Sequence, residues 1–149
     1  MAASQKSVEA LLAAARAAEE KQGTELFAVD TSDSMGLIDG FLLVSAHNER
    51  LVNAIVDAVE EALQLEFAWR PLRREGRAGG RWVLLDFADI VVHVQHAEDR
   101  AFYALDRLWA DSPRIVLGLE HEAALVKDVD HRADERMIRA VDEPGSEKS

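Results

Sequence analysis

The amino-acid sequence predicts a single α/β domain, in which a mixed β-sheet of about five strands is flanked by helices. Apolar residues recur at helical spacing in three segments, and short apolar runs of strand length lie between them. The strand, helix and strand expected over residues 41–73 require a parallel crossover, whereas a later hairpin requires antiparallel pairing. The chain has 149 residues, 48% of them apolar, which suffices for one core but not for two.

The first half of the chain contains two predicted helices and two predicted strands. Residues 7–21 carry apolar side chains at helical spacing, and Ser7 is the expected N-cap. The short apolar runs at residues 26–30 and 41–46 are bounded by Asp, Ser and Gly, which is typical of strands. A second helix, with one apolar stripe and acids opposite, is expected to begin after Asn48 as its N-cap.

The second half contains a predicted edge strand, a hairpin and a short helix. We expect the edge strand around Trp69, because Pro71 cannot donate a ladder hydrogen bond inside a sheet. Residues 82–87 and 90–96 are apolar runs separated by two residues, the pattern of a β-hairpin with a tight turn. The apolar residues within 102–109 then follow helical spacing.

A domain boundary is expected near residue 112, because the periodic pattern weakens after Pro113. Large apolar residues become sparse there and acidic residues frequent. A segment of this composition does not bury enough apolar surface to offset its conformational entropy. We therefore predict a domain at residues 1–112 and an acidic C-terminal extension at residues 113–149, partly helical at most and partly disordered.

Charge is distributed unevenly along the chain. The formal net charge is −11, which argues against broad nucleic-acid binding because phosphate neutralisation needs surplus Lys and Arg. Residues 70–81 are the exception, since they contain five arginines and only one acid, Glu75. The segment is either a solvated surface or a local contact to nucleic acid. Its arginines are Arg70, Arg73, Arg74, Arg77 and Arg81.

The predicted hairpin has two chemically different faces. If its turn has two residues, Leu84 lies opposite His93 and Trp82 opposite Gln95. Alternation along the strands then puts one wholly apolar set on the core side and a mixed set on the other side. The apolar set is Val83, Leu85, Phe87, Ile90, Val92 and Val94, and the mixed set is Trp82, Leu84, Asp86, Val91, His93 and Gln95.

The mixed face admits two interpretations. A helix of the same chain could cover its apolar side chains, or the face could be exposed as a binding surface for a partner. Trp is the residue most enriched among binding hot spots, and polar residues around it would form the rim of such a surface.

No catalytic, cofactor-binding or metal-binding pattern is evident. Asp86 and Asp89, like Asp30, could in principle serve acid/base or metal chemistry, but aspartates at turns ordinarily accept backbone hydrogen bonds. His93 and His96 are three apart on a strand, so they point to opposite faces and cannot share one ion. We therefore predict no enzyme activity, no cofactor and no metal.

The expected compartment is the cytoplasm. The chain contains no cysteine, so its fold does not depend on disulfides or on sulfur-bound zinc. No segment reaches the roughly 18 consecutive apolar residues of a membrane-spanning helix, and the N-terminal segment is too charged for a signal peptide. A soluble protein without a membrane partner is expected.

Residues 80–109 resemble the signature of the ribosome silencing factor, or Iojap-like, family. In that pattern a Trp opens a strand, one Asp closes it and a second starts the next strand, Val-His follows, and Arg, Tyr and Leu-Trp mark a helix. Weaker upstream matches, such as Asn48-x-Arg50 and Glu75-Gly76, extend the resemblance over about residues 7–110. The signature residues here are Trp82, Asp86, Asp89, Val92, His93, Arg100, Tyr103, Leu108 and Trp109.

The resemblance implies a nucleotidyltransferase-like fold without transferase activity. It also implies a bacterial protein that binds the large ribosomal subunit at ribosomal protein fourteen and sterically blocks the small subunit, repressing translation. If the arginine-rich segment also reaches the ribosome, Arg73, Arg74 and Arg77 are its expected contacts to ribosomal RNA. The expected contacts to the ribosomal protein are Trp82, Leu84, Asp86, Asp89, Val91 and His93, with Arg100 and Tyr103 as neighbours.

Two other functions remain open at this point. The first is an active nucleotidyltransferase, which would need a Gly-Ser pair beside metal-binding acids, and the only such pair is Gly145-Ser146 near the C-terminus. The second is a homodimeric adaptor that uses the mixed hairpin face on a second copy of itself.

Overall fold

The structure is a computed structural model, and it describes residues 2–35, 37–76, 79–103 and 105–124. The helices in these ranges are α1 (Gln5–Glu20), α2 (Ser32–Met35), α3 (Glu49–Phe67), α4 (Ala97–Tyr103) and α5 (Leu105–Leu108). The strands are β1 (Thr24–Asp30), β2 (Gly40–Ala46), β3 (Arg73–Glu75), β4 (Trp82–Asp86), β5 (Ile90–His96) and β6 (Arg114–Ile115).

The strands form one mixed sheet in the order β3-β4-β5-β2-β1-β6. β2 and β5 run parallel, and the other neighbouring pairs are antiparallel. The predicted α/β class with a mixed sheet is therefore confirmed, with six strands in the described residues instead of about five.

Side-chain caps explain where the two long helices begin. The Asn48 side chain accepts a hydrogen bond from the Leu51 amide at 2.8 Å, which confirms Asn48 as the N-cap of α3. In α1 the cap is Ser4, whose hydroxyl accepts from the Ser7 amide at 3.1 Å. The prediction of Ser7 as the cap is thus wrong by one turn. Ser7 is buried instead, and its hydroxyl donates to the Asp39 carboxylate at 2.8 Å.

The main core lies between the sheet and the pair α1 and α3, which pack side by side on one of its faces. α1 contributes small residues such as Ala14 and Ala18, so it can approach closely, while α3 contributes Ile55, Val59 and Leu63. Fully burying a large aliphatic side chain contributes roughly 1.5–3 kcal/mol. The apolar hairpin set predicted for the core is buried here as expected: Val83, Leu85, Phe87, Ile90, Val92 and Val94.

The predicted third strand is displaced in the structure. Phe67 is the last residue of α3, and Ala68 follows in the left-handed conformation with φ of 59°, which ends the helix. Trp69 and Pro71 lie in the connection, and the edge strand β3 starts only at Arg73. β3 is separated from β2 by β4 and β5, so the parallel partner of β2 is β5.

Residues beyond the boundary predicted after residue 112 contact the sheet. β6 pairs with β1, and the Ala123 amide donates to the Leu26 carbonyl at 2.7 Å. These contacts are non-local and involve only short segments, so periodicity did not reveal them. The boundary itself stays a prediction. Residues 125–149 lie outside the described residues, and the extension predicted there stays a prediction. Among the helices of the described residues, none is both long and apolar enough to span a bilayer.

Candidate functional site

The mixed face of the hairpin has the geometry predicted from the sequence. Leu84 pairs with His93 and Trp82 with Gln95, and the Phe87 amide donates to the Ile90 carbonyl at 2.9 Å across a two-residue turn. The turn requires a left-handed residue, and Ala88 takes that role with φ of 80° although Gly would be less strained. The predicted register is therefore confirmed.

The two strands of this face differ in exposure. On β4, Trp82, Leu84 and Asp86 are partly buried, and we call these three residues the open patch. On β5, Val91 and His93 are buried, because β5 is a central strand and residues of α5 and the following turn lie over it. The chain therefore covers its own β5, while the side chains of β4 on this face stay partly accessible.

Aromatic rings connect the covered half to the open patch. Phe41 of β2 stacks on Trp109 with ring centroids 4.3 Å apart, and the His93 ring lies 5.7 Å from Phe41 and 5.9 Å from Trp109. The Trp82 ring is 6.0 Å from that of His93. We call these four residues the ring cluster. The alternation along β4 and β5 did not reveal Phe41, because its contribution depends on the pairing of β2 with β5.

A side-chain hydrogen bond joins Trp82 to His93. The indole Nε1 donates to Nδ1 of His93 at 3.0 Å. Because an indole can only donate, Nδ1 must be unprotonated, and the neutral ring then carries its proton on Nε2. Burial lowers the pKa of His93 to about 4, which keeps the ring neutral at physiological pH.

The two aspartates of the hairpin shape its turn. The Asp86 carboxylate accepts from the Ala88 amide at 2.9 Å and lies 3.6 Å from Nε of Arg73. Asp89 is exposed, and its carbonyl accepts from the Asp39 amide at 2.7 Å, which ties the turn to the start of β2. Asp86 thus makes the side-chain bond to a backbone amide that is typical of aspartates at turns, whereas Asp89 contributes through its main-chain carbonyl.

Asp30 lies at the same end of the sheet as the hairpin turn, and it holds the start of α1. Asp30 accepts from the Ala3 amide at 2.9 Å and from the Ser32 hydroxyl at 2.6 Å. Burial alone would raise the pKa of Asp30, but these hydrogen bonds outweigh it and lower the pKa. Within the part of the chain that the structure describes, no group of three or more His, Asp and Glu residues has the arrangement of a metal site.

Of the two helix residues predicted as neighbours of the contact, Arg100 is the one whose side chain the structure describes. Arg100 is buried, and its Nη1 donates to the Ser45 hydroxyl at 3.1 Å, so it packs α4 against β2. Tyr103 is the last residue of α4, and its side chain lies outside the described part of the structure.

Acids of the same chain surround the arginine-rich segment. Arg74 donates to the Glu60 carboxylate through Nε at 2.6 Å and Nη2 at 3.2 Å, and this hydrogen bond raises the pKa of Arg74. Nη1 of Arg73 lies 3.3 Å from the Glu75 carboxylate, although 66% of the Arg73 side chain is exposed. Arg77 lies outside the described residues. Solvent-exposed ion pairs add little to stability, so these arginines remain available for exchange with another anion.

Comparison with known proteins identifies the family. The family model described as "ribosomal silencing factor during starvation" matches residues 4–146. The chain belongs to this family. The predicted membership is thereby confirmed, and it places the chain among factors that regulate translation. The match continues past residue 110, where the motif resemblance ended.

Individual relatives agree with this assignment. A ribosomal silencing factor of Halalkalibacterium halodurans is 35% identical over 109 residues, which are 73% of this chain and 92% of that protein. A crystal structure from Bacillus halodurans superposes with a TM-score of 0.64 at 31% identity, covering 76% of this chain and all of that one. The chloroplastic Iojap protein of Zea mays is 25% identical over 103 residues, which are 69% of this chain and 44% of that protein.

Proposed function

We propose that this protein binds the large ribosomal subunit at ribosomal protein fourteen through the open patch and thereby blocks the small subunit sterically. The observation that carries the proposal is a partly buried Trp82 beside Leu84 and Asp86, on a hairpin whose other face packs into the main core. The chain that presents this hairpin is a member of the ribosomal silencing factor family. The site of action is then the bacterial cytoplasm, where ribosomal subunits join.

The open patch has the composition of a binding hot spot. Trp82 supplies the large anchor, Leu84 extends its apolar area, and Asp86 and the exposed Asp89 offer polar contacts at the rim. Side chains that are already ordered lose little entropy on binding, so backing by the ring cluster favours affinity. Val91 and His93 are buried beneath the patch, and we assign them to its support.

Charge favours the same partner. The net charge of −11 attracts a basic ribosomal protein over long distances and raises the association rate. The bound protein excludes the small subunit by occupying the surface where the two subunits meet, so the proposed function involves no catalytic step. Direct contact of Arg73, Arg74 and Arg77 with ribosomal RNA is a further part of the proposal, which the exposure of Arg73 supports.

Sedimentation with separated ribosomal subunits tests the docking. We expect the protein to co-sediment with large subunits and not with small ones, and to slow the joining of the two in a light-scattering assay. Trp82→Ala should weaken both effects strongly, whereas the matched control Trp69→Ala should retain them. Trp69 is also partly buried, but it packs beside Phe67 on the opposite side of the sheet. Equal binding to both subunits would contradict the proposal.

Self-association through the open patch is the main alternative, because a twofold partner could cover the same residues. Equilibrium sedimentation of the free protein distinguishes the two. A dimer that dissociates on Trp82→Ala while binding to large subunits persists would assign the patch to self-association. Steady turnover of a nucleoside triphosphate with magnesium, abolished by Asp86→Ala, would instead support an enzyme.

A further inference from the structure

We propose that His93 is a positioning residue, which holds the indole of Trp82 in its binding orientation through Nδ1 and does not itself contact the ribosome. This inference rests on the proposed docking through the open patch. It assigns to a buried residue a role that the sequence motif alone assigns to contact with the partner.

The placement of His93 suits support and not contact. Only 6% of the residue is exposed, so a partner that covers the hairpin would meet Trp82 and Leu84 first. His93 is the diagonal neighbour of Trp82 across the β4–β5 pair, a separation that long aromatic side chains can bridge. The 3.0 Å bond from Nε1 to Nδ1 is that bridge.

The imidazole is itself held from several sides. Its backbone is paired with Leu43 of β2 and with Leu84 of β4, so the strand cannot shift. The rings of Phe41 and Trp109 lie within 6 Å of the imidazole centroid and restrict its rotation. A rigid acceptor therefore faces the indole N–H, and the two rotatable bonds of Trp82 are restrained before any partner arrives.

Removal of the acceptor has a definite consequence for binding. Without Nδ1, the indole N–H would have to find water or a partner group, and the ring could adopt other rotamers. Binding would then include the entropic cost of ordering the Trp82 side chain. The affinity would be weaker even though the contacts in the complex are the same. The acceptor matters at this position, and an aliphatic side chain of similar size does not replace it.

Two substitutions separate the acceptor from the bulk of the ring. In His93→Asn, the amide oxygen can occupy about the position of Nδ1, whereas His93→Leu fills similar space with no acceptor. We expect His93→Leu to weaken binding to large subunits about tenfold and His93→Asn to retain most of the affinity. His96→Leu, on the same strand, is the matched control and should bind like the unmodified protein.

Nuclear magnetic resonance provides a readout that does not involve the ribosome. The chain has three Trp residues, and Trp82→Phe assigns the indole signal of Trp82. We expect this signal to exchange slowly with water in the unmodified protein and in His93→Asn, and rapidly in His93→Leu. In the unmodified protein, nitrogen shifts of His93 should show a bare Nδ1 and a protonated Nε2, which tests the bond even if a variant does not fold.

The outcomes distinguish this inference from the docking itself. If Trp82→Ala binds large subunits normally, the proposed function fails. If Trp82→Ala weakens binding strongly but His93→Leu binds like the unmodified protein, docking stands and the positioning role is wrong. A protonated Nδ1 would also overturn it, because that atom could not accept from the indole. An equal decrease in affinity in the Asn and Leu variants would do so as well, since the size of the side chain and not its acceptor would then determine the affinity.

Discussion

The two faces of the β4–β5 hairpin are built from alternate residues of the same strands, yet they differ in composition and in burial. The face beneath α1 and α3 is wholly apolar and fully enclosed. The opposite face mixes Trp, Leu, Asp and His and is enclosed only over β5. The enclosed face therefore contributes mainly to folding, and the open patch can carry binding because the fold does not depend on covering it.

Removing a core side chain should produce the largest effect. Leu85 is fully buried between the sheet and the helices, so Leu85→Ala leaves a cavity and should lower the free energy of unfolding by about 2–5 kcal/mol. Urea denaturation measures the decrease. The fraction that remains folded should still bind large subunits with nearly unchanged affinity. A large decrease in the affinity of the folded fraction would contradict the assignment of folding to one face and binding to the other.

Acid should destabilise the protein through the covered half of the mixed face. The pKa of His93 is about 4 in the folded chain, against an ordinary value of 6.5 for a solvated histidine, so only the unfolded chain binds this proton between those values. Stability is then complete above pH 6.5 and declines as the pH falls towards 4, by up to about 3 kcal/mol. Urea unfolding at several pH values should show a shallower decline for His93→Leu than for the unmodified protein. Parallel curves would contradict this origin.

Truncating the anchor of the open patch should affect binding more than folding. Trp82→Ala should cost on the order of 2 kcal/mol of binding free energy, because hot-spot tryptophans commonly contribute that much. The effect should appear in the dissociation rate, with little change in salt dependence. Kinetic binding to large subunits measures both quantities. An unchanged dissociation rate would remove the patch from the docking surface.

The arginine-rich segment should give the smallest effect. Replacing Arg73 and Arg74 together by Gln should flatten the salt dependence of binding, by roughly one unit in slope for each phosphate that is no longer neutralised. Since Arg73 is the more exposed and Arg74 pairs closely with Glu60, we expect Arg73→Gln to account for most of the change. Binding titrations at several salt concentrations measure it, and an unchanged slope would exclude an RNA contact there.

Sequence patterns were most informative where structure is local. The hairpin register, the sorting of its side chains and the N-cap at Asn48 all depend on neighbouring residues, and each prediction was confirmed. The edge strand was misplaced because the apolar pair Phe67 and Trp69 resembles a strand, although Phe67 completes a helix and Trp69 packs beside it. β6 was missed because a two-residue strand has no periodicity.

The sequence by itself determined the α/β class, the family and the two faces of the hairpin, because periodicity and motifs are properties of neighbouring residues. Only the tertiary structure decided which half of the mixed face is open. That outcome depends on β5 lying at the centre of the sheet and on Phe41 and Trp109, distant in sequence, meeting over His93. Burial is set by what the rest of the chain places above a residue, and alternation along one strand contains no information about that.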